Sequence, residues 1–250
     1  MTDTTDITTR AITLQGDAVA IAAYQAQPTT ARADAPVPGI VVLQEIFGVN
    51  AHIRNVTDRL AKLGYVAIAP ALYQRLAPGF ETGYDPDSIT LGRQYKQQTK
   101  ADELLADIQT AIDHLKTNPG VNPAAIGCIG FCFGGHVAYL AATLPDIKAT
   151  ASFYGAGITT WCPGDGEPTL IHTGAISGTL YGFFGMADQS IPPDQVDAIE
   201  EALQQHRVNH RIFRYADADH GFFCDQRGSY NAIAAADAWT QVQTLFQQLA

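Results

Sequence analysis

The stretch Gly130-Phe131-Cys132-Phe133-Gly134-Gly135 decides how this chain is read. It follows the apolar, β-branched run from Ile126 and precedes a helical pattern from Phe133 to Leu144, so it marks a strand that turns at once into a helix. A turn this sharp needs small residues two before and two after its tip, because strand and helix backbones must almost touch, and it holds the tip residue in a strained conformation. Gly130 and Gly134 fill those positions and Cys132 stands at the tip. The helix start at Phe133 offers unpaired N–H groups and partial positive charge, which favour a thiolate and a developing oxyanion. A buried cysteine is usually a small hydrophobe, and Cys128, inside the strand, reads that way. The combination at Cys132 is more specific than a core thiol. Cys128 and Cys132 have three residues between them and span a strand, so they do not make a redox dithiol, and no Cys or His falls at metal-ligand spacing from Cys132.

Outward from this turn, apolar runs alternate with helical patterns, the signature of a mostly parallel sheet with helices on both faces. An antiparallel pair at about Ala11–Leu14 and Val19–Gln25 opens the chain. Buried strands follow at Gly39–Leu43, Tyr65–Ala69 and Ile126–Phe131, and further strands at Thr150–Tyr154, Thr179–Phe184 and Arg211–Tyr215. Helices are expected around Ile53–Leu63, Lys100–Lys116, Phe133–Leu144, Pro193–His206 and Ser229–Leu249. The stretch from Leu72 to about Thr99, rich in Pro, Gly, Tyr and Asp, reads as a long excursion over the sheet edge. With no internal repeat and no dividing linker, residues 1–250 are expected to form one α/β-hydrolase domain, with 1–10 a flexible terminus.

A thiol nucleophile needs a base, and the base needs an orienting acid. In α/β-hydrolases these follow the nucleophile in chain order, on loops after later strands. Asp188, in Gly185-Met-Ala-Asp188, follows the strand ending at Phe184, and His220, in Asp217-Ala-Asp-His220-Gly-Phe, follows the strand ending at Tyr215. The other histidines have ordinary explanations at helix ends, in strands or one turn into the elbow helix; His172 is the least easily dismissed. The backbone N–H groups of Phe133 and Ile46 are the expected oxyanion donors, Ile46 lying in Gln44-Glu45-Ile46-Phe47-Gly48 after the strand Gly39–Leu43. Glu45 ends a buried strand on the face where the nucleophile should open.

These segments, with Leu72-Tyr73-Gln74-Arg75 and Phe153-Tyr154-Gly155, resemble in matching order the dienelactone hydrolase family, the carboxymethylenebutenolidases, from about residue 12 to the C-terminus. The resemblance implies an α/β-hydrolase fold and hydrolysis of a lactone or carboxylic ester through a Cys132-His220-Asp188 triad and an acyl-thioester. It further implies that Glu45 contacts and helps activate the thiol and that Arg75 helps hold a substrate carboxylate. One position departs: family members acting on dienelactone carry a carboxylate-binding Arg four residues after the catalytic His, where this chain has Cys224, and Arg227 is the candidate replacement. The segment Thr159–Ser177 is also longer than its counterpart. The alternatives are a general small-ester hydrolase and a non-catalytic small-molecule-binding or thiol-sensing protein on the same fold.

Composition bounds the partners. The 250 residues carry 15 Lys+Arg against 25 Asp+Glu, a formal charge of −10, with 46% hydrophobic and only 16% charged residues. That balance argues against nucleic-acid or anionic-membrane partners, which need clustered cations. Four cysteines are too few for a disulfide framework and fit a reducing compartment. No signal peptide or ~20-residue apolar span is visible. The expectation is a cytoplasmic enzyme, monomer or homodimer, without cofactor or metal, acting on a small lactone or ester.

Overall fold

The computed structural model describes residues 5–16 and 18–249. Eight strands form one sheet: β1 (Ile7–Gln15), β2 (Ala20–Pro28), β3 (Val37–Leu43), β4 (Val66–Pro70), β5 (Val121–Phe131), β6 (Ile147–Phe153), β7 (Thr179–Gly185) and β8 (His210–Tyr215), in the order β1-β2-β4-β3-β5-β6-β7-β8. The β1–β2 and β2–β4 pairs are antiparallel and every pair from β4 to β8 is parallel. Among the described residues there are six α-helices: α1 (Ala51–Lys62), α2 (Pro86–Gln98), α3 (Ala101–Thr117), α4 (Phe133–Ala141), α5 (Pro193–Gln205) and α6 (Ala232–Phe246). The expected α/β-hydrolase architecture is thus present. β1 begins at Ile7, so residues 7–10 are paired strand rather than flexible terminus; residues 1–4 lie outside the described residues.

The central strands β3 and β4 and the second half of β5 are apolar because both faces are covered, whereas the edge strand β8 is polar and half exposed. Alternate residues serve opposite cores: Ile40, Val42, Ile129 and Phe131 pack with Val56 and Leu60 of α1 and Val242 of α6. Val41, Leu43, Ile126 and Cys128 pack with Ile108 and Ile112 of α3 and Val137 of α4. Since α1 and α3 lie against different cores, the connections leaving the middle of the sheet diverge at the carboxyl end of β3, the position where open α/β sheets place their ligands.

Two segments differ from the sequence expectation. The excursion 72–99 contains α2, a 13-residue helix. Asp85 caps it, its side chain accepting from the Ser88 N–H, and Pro86 occupies the first turn, where its missing N–H costs nothing. Only Ser88 and Gly92 of α2 are fully buried, with Ile89 and Tyr95 partly buried against the core, so its apolar stripe is too short and sparse for periodicity to reveal. Within Thr159–Ser177 a 3₁₀ segment, Thr169–Ala175, packs on the elbow helix. There His136 Nε2 meets Thr169 Oγ1 at 2.7 Å and Tyr139 Oη meets Thr173 Oγ1 at 2.6 Å.

The elbow glycines are required by close approach. A Cβ on Gly130 would collide with the Gly134 carbonyl, and one on Gly134 with the Leu43 and Gln44 carbonyls. Backbone carbonyls cannot step aside as a side chain can. Gly134→Ala should therefore cost about 2 kcal/mol, read as a lower urea midpoint. Gly228→Ala, where a Cβ meets nothing within 4 Å, should change stability by less than about 0.5 kcal/mol.

Candidate active site

β5 delivers Cys132 to the carboxyl edge of the sheet, and α4 leaves from the next residue. Cys132 has φ 55° and ψ −115°, a conformation unfavourable for any residue with a Cβ. Its N–H donates to the Phe153 carbonyl of neighbouring β6 at 3.0 Å, which fixes the tip of the turn. β7 and β8 deliver the other two groups. His220 Nε2 stands 3.1 Å from Cys132 Sγ, and His220 Nδ1 stands 2.7 Å from Asp188 Oδ2. Asp188 is itself held, its Oδ1 accepting from the Ser190 N–H at 2.8 Å. The Tyr154 ring packs edge-on against His220 at 5.3 Å between centroids. The three residues expected to act together form one continuous hydrogen-bonded chain.

The electrostatics of this chain favour charge separation. Burial pushes the Cys132 thiol up, but the charge and hydrogen bond of His220 outweigh it and leave the thiol below its ordinary value; Glu45 opposes this and Arg227 assists. Burial pushes the His220 imidazole down, and the charges and hydrogen bonds of Cys132 and Asp188 reverse that and raise it. Both directions point to a thiolate–imidazolium pair.

Cys132 and His220 open into a cavity of about 200 Å³, walled by Ile46, Phe47, Ile89, Phe133 and Ala156 and by three cations, Arg93, Lys96 and Arg227. Neither the Ile46 nor the Phe133 N–H makes a hydrogen bond among the described residues, so both donors stay available beside the thiol. Arg93 and Lys96 come from α2, the helix the sequence reading missed; the only sequence signal for them was the Asp85-Pro86-Asp87-Ser88 helix start, with the two cations three residues apart. Burial lowers the Lys96 pKa while the nearby Cys132 charge raises it, and its Nζ lies 4.7 Å over the Trp161 ring.

Other expected residues sit differently. Glu45 is fully buried and makes no hydrogen bond to Cys132 among the described residues; its Oε1 accepts from Arg227 Nη1 at 2.9 Å. Arg227 thus reaches both Glu45 and the cavity. Arg75 does not line this cavity. It is committed to Asp107 of α3, with Nε 3.1 Å from Oδ2 and Nη2 2.5 Å from Oδ1, because the Asp107 side chain, only 2% exposed, needs a paired cation. His172 is exposed on the 3₁₀ segment, away from the thiol. A larger groove, about 580 Å³, runs past Arg75 and His114 and contains none of Cys132, Asp188 or His220.

This sheet, with a strained cysteine elbow after β5, a histidine from the loop after β8 at its thiol and an aspartate from the loop after β7 behind the imidazole, is that of an α/β-hydrolase. The family model for the dienelactone hydrolase family matches residues 21–250, and the chain belongs to that family, which makes it a carboxylic ester hydrolase. It is 57% identical over 244 residues, 98% of each chain, to a protein of Synechocystis sp. named "Putative carboxymethylenebutenolidase". It is 31% identical over 210 residues, 82% of this chain and 83% of the other, to the carboxymethylenebutenolidase of Pseudomonas putida. A solved structure of a "Putative Dienelactone Hydrolase" from Klebsiella pneumoniae superposes with a TM-score of 0.87 at 30% identity, covering 97% of this chain and 99% of that one. No helix among the described residues is long and apolar enough to cross a membrane.

Two outcomes follow. Alkylation of Cys132 by iodoacetamide should rise with pH through an inflection below the ~8.5 of a free thiol. In His220→Gln, which removes the cation but leaves the burial, the inflection should move up past that value. Arg75→Ala strands the Asp107 carboxylate and should lower the unfolding free energy by about 3 kcal/mol in a denaturant titration, while leaving KM for any substrate of the Cys132 cavity unchanged.

Proposed function

We propose that this protein hydrolyses small lactones or activated esters that carry a carboxylate, with Cys132 as nucleophile, His220 as acid and base, and Asp188 orienting the imidazole. The observation that supports this reading best is the Asp188–His220–Cys132 chain opening into a small cavity ringed by Arg93, Lys96 and Arg227. A non-catalytic binder would need neither the ordered imidazole nor its buried acid. Three cations at one thiol suit an anionic substrate, in a chain whose overall charge is −10.

In this mechanism the Cys132 thiolate attacks the carbonyl carbon, and the resulting oxyanion is met by the N–H groups of Phe133 and Ile46. The C–O bond to the leaving group breaks and the His220 imidazolium gives its proton to the departing oxygen, leaving an acyl-thioester and a neutral imidazole. Water then attacks the thioester while His220 accepts its proton. The second tetrahedral intermediate expels the acid and restores the thiolate–imidazolium pair. A thiolate is itself a good leaving group, so the first intermediate moves forward best when the departing oxygen is an enolate or another stabilised anion. Enol lactones and aryl esters are therefore favoured over alkyl esters and amides. Glu45, which holds Arg227 in position at the cavity, is assigned a positioning part.

The test is a hydrolysis panel of dienelactone, neutral enol lactones and p-nitrophenyl acetate. Cys132→Ala should lose measurable turnover on every member that the wild type cleaves, and retained turnover would overturn the assignment. Arg93→Ala and Lys96→Ala should each raise KM for the anionic lactone roughly tenfold, the effect of losing one charge-assisted contact, with little change for neutral p-nitrophenyl acetate.

A further inference from the structure

Beside the catalytic cavity lies a second group of donors, of which the proposed hydrolytic mechanism uses only Glu45 Oε1, through Arg227. Glu45 from the loop after β3, His52 from the first turn of α1, and Cys224 from the turn after β8 each place one ligand-type atom, a carboxylate oxygen, a ring nitrogen and a thiol sulfur, within 4.8 Å of one another. All three residues are buried, at 0%, 3% and 0% exposure. Two of their polar atoms, Glu45 Oε2 and His52 Nε2, have no hydrogen-bond partner although both are closed off from solvent. A buried carboxylate oxygen and a buried imidazole nitrogen left unsatisfied side by side is costly, and native interiors fill such places with a polar partner or an ion.

We propose that Glu45, His52 and Cys224 form a binding site for a thiophilic divalent cation of the zinc class. One oxygen, one nitrogen and one sulfur ligand is a mixed set that Zn²⁺ accepts in tetrahedral geometry. Ligand atoms around zinc lie roughly 3–4 Å apart, so closure asks for movements on the order of 1 Å. Burial, with Glu45 adding to it, keeps the Cys224 thiol protonated, with its pKa pushed up to about 11. On binding, the thiol loses its proton to solvent as the metal–sulfur bond forms, so one proton is released per cation at neutral pH. The Tyr84 hydroxyl, 3.3 Å from Cys224 Sγ, can then turn and donate to the new thiolate. His52 suits the role because burial lowers its pKa and keeps it neutral, with a nitrogen lone pair free for a metal. Glu45 keeps Oε1 for Arg227 and offers Oε2. The cation would tie the start of α1 to the loops after β3 and β8, which line the cavity, so it acts as a clamp on the carboxyl edge of the sheet.

The test uses full-length Cys132→Ala protein with its remaining thiols reduced, which removes the competing Cys132–His220 pair and makes the result independent of the proposed hydrolysis. Titrated with Co²⁺ alone, this protein should bind one ion per chain and develop thiolate-to-cobalt charge-transfer absorption, displaced by Zn²⁺. Adding Cys224→Ser should abolish that absorption, and adding His52→Phe should weaken binding at least tenfold. Zn²⁺ should raise the thermal midpoint of Cys132→Ala but not of the Cys224→Ser double variant, with circular dichroism showing that both are folded. Absence of stoichiometric binding by folded Cys132→Ala, or absorption that survives Cys224→Ser, overturns the site.

Discussion

The contact on which the rest of the site depends is backbone against backbone. Gly130, Gly134 and Gly135 let α4 leave β5 so steeply that a Cβ on any of them would meet a carbonyl: that of Gly134, of Leu43 and Gln44, or of Phe153. The conformation forced on Cys132 costs on the order of 1–3 kcal/mol, and the apolar packing on both faces of β5 offsets it. In return, one turn fixes three things together. It exposes the thiol, leaves the Phe133 N–H unpaired at a helix start, and presses the elbow against the end of β3, whose loop carries Glu45 and Ile46. The proposed nucleophile and both proposed oxyanion donors are therefore registered by packing between main chains, which side-chain motion cannot loosen.

Charge is distributed by the same economy. The surface is acidic overall, yet Arg93, Lys96 and Arg227 converge on one cavity with a fully buried carboxylate, Glu45, behind one of them. A cation held against a buried anion is fixed in place, whereas Arg93, on an exposed position of α2, is free to follow a ligand. The Cys132–His220 pair adds a charge separation that burial alone would suppress, sustained by Asp188 on the far side of the ring. The proposed substrate carboxylate would enter a site that is locally positive inside a molecule that is globally negative, so its recognition would rest on short-range contacts more than on long-range steering.

The parts of this molecule legible in its sequence were those set by local rules. A strand–Cys–helix turn with flanking glycines announces itself through spacing, and Asp188 and His220 follow because loops after successive parallel strands must gather on one edge. What was not legible depends on contacts between distant segments. Arg75 stands in a motif that suggests a substrate contact, but Asp107, 32 residues later, is buried opposite it and takes its charge. Helix α2 escaped because it packs through a serine, a glycine and only two larger apolar residues, Ile89 and Tyr95, too few for the apolar periodicity by which helices are recognised. Residues 7–10 looked like a loose terminus because their sequence is polar; an edge strand with one mostly exposed face needs no more than that to pair with β2. His52 reads in sequence as an ordinary helix-opening residue, and only the fold sets it beside Glu45 and Cys224.

Gly92, at the middle of α2, has a further consequence. A Cβ there would meet the carbonyl of Ile46, so the helix lies backbone to backbone against the residue proposed to supply an oxyanion donor. The helix that carries Arg93 and Lys96 is thereby gauged from the peptide proposed to receive the oxyanion. The helix axis is thus held at a set distance from that peptide, while the exposed Arg93 side chain keeps the reach to meet ligands of different length. On the proposed reading the cavity is a coarse ruler: the seating of α2 on Ile46 sets the approximate separation between carboxylate and ester carbonyl, and the side chains that α2 carries relax it.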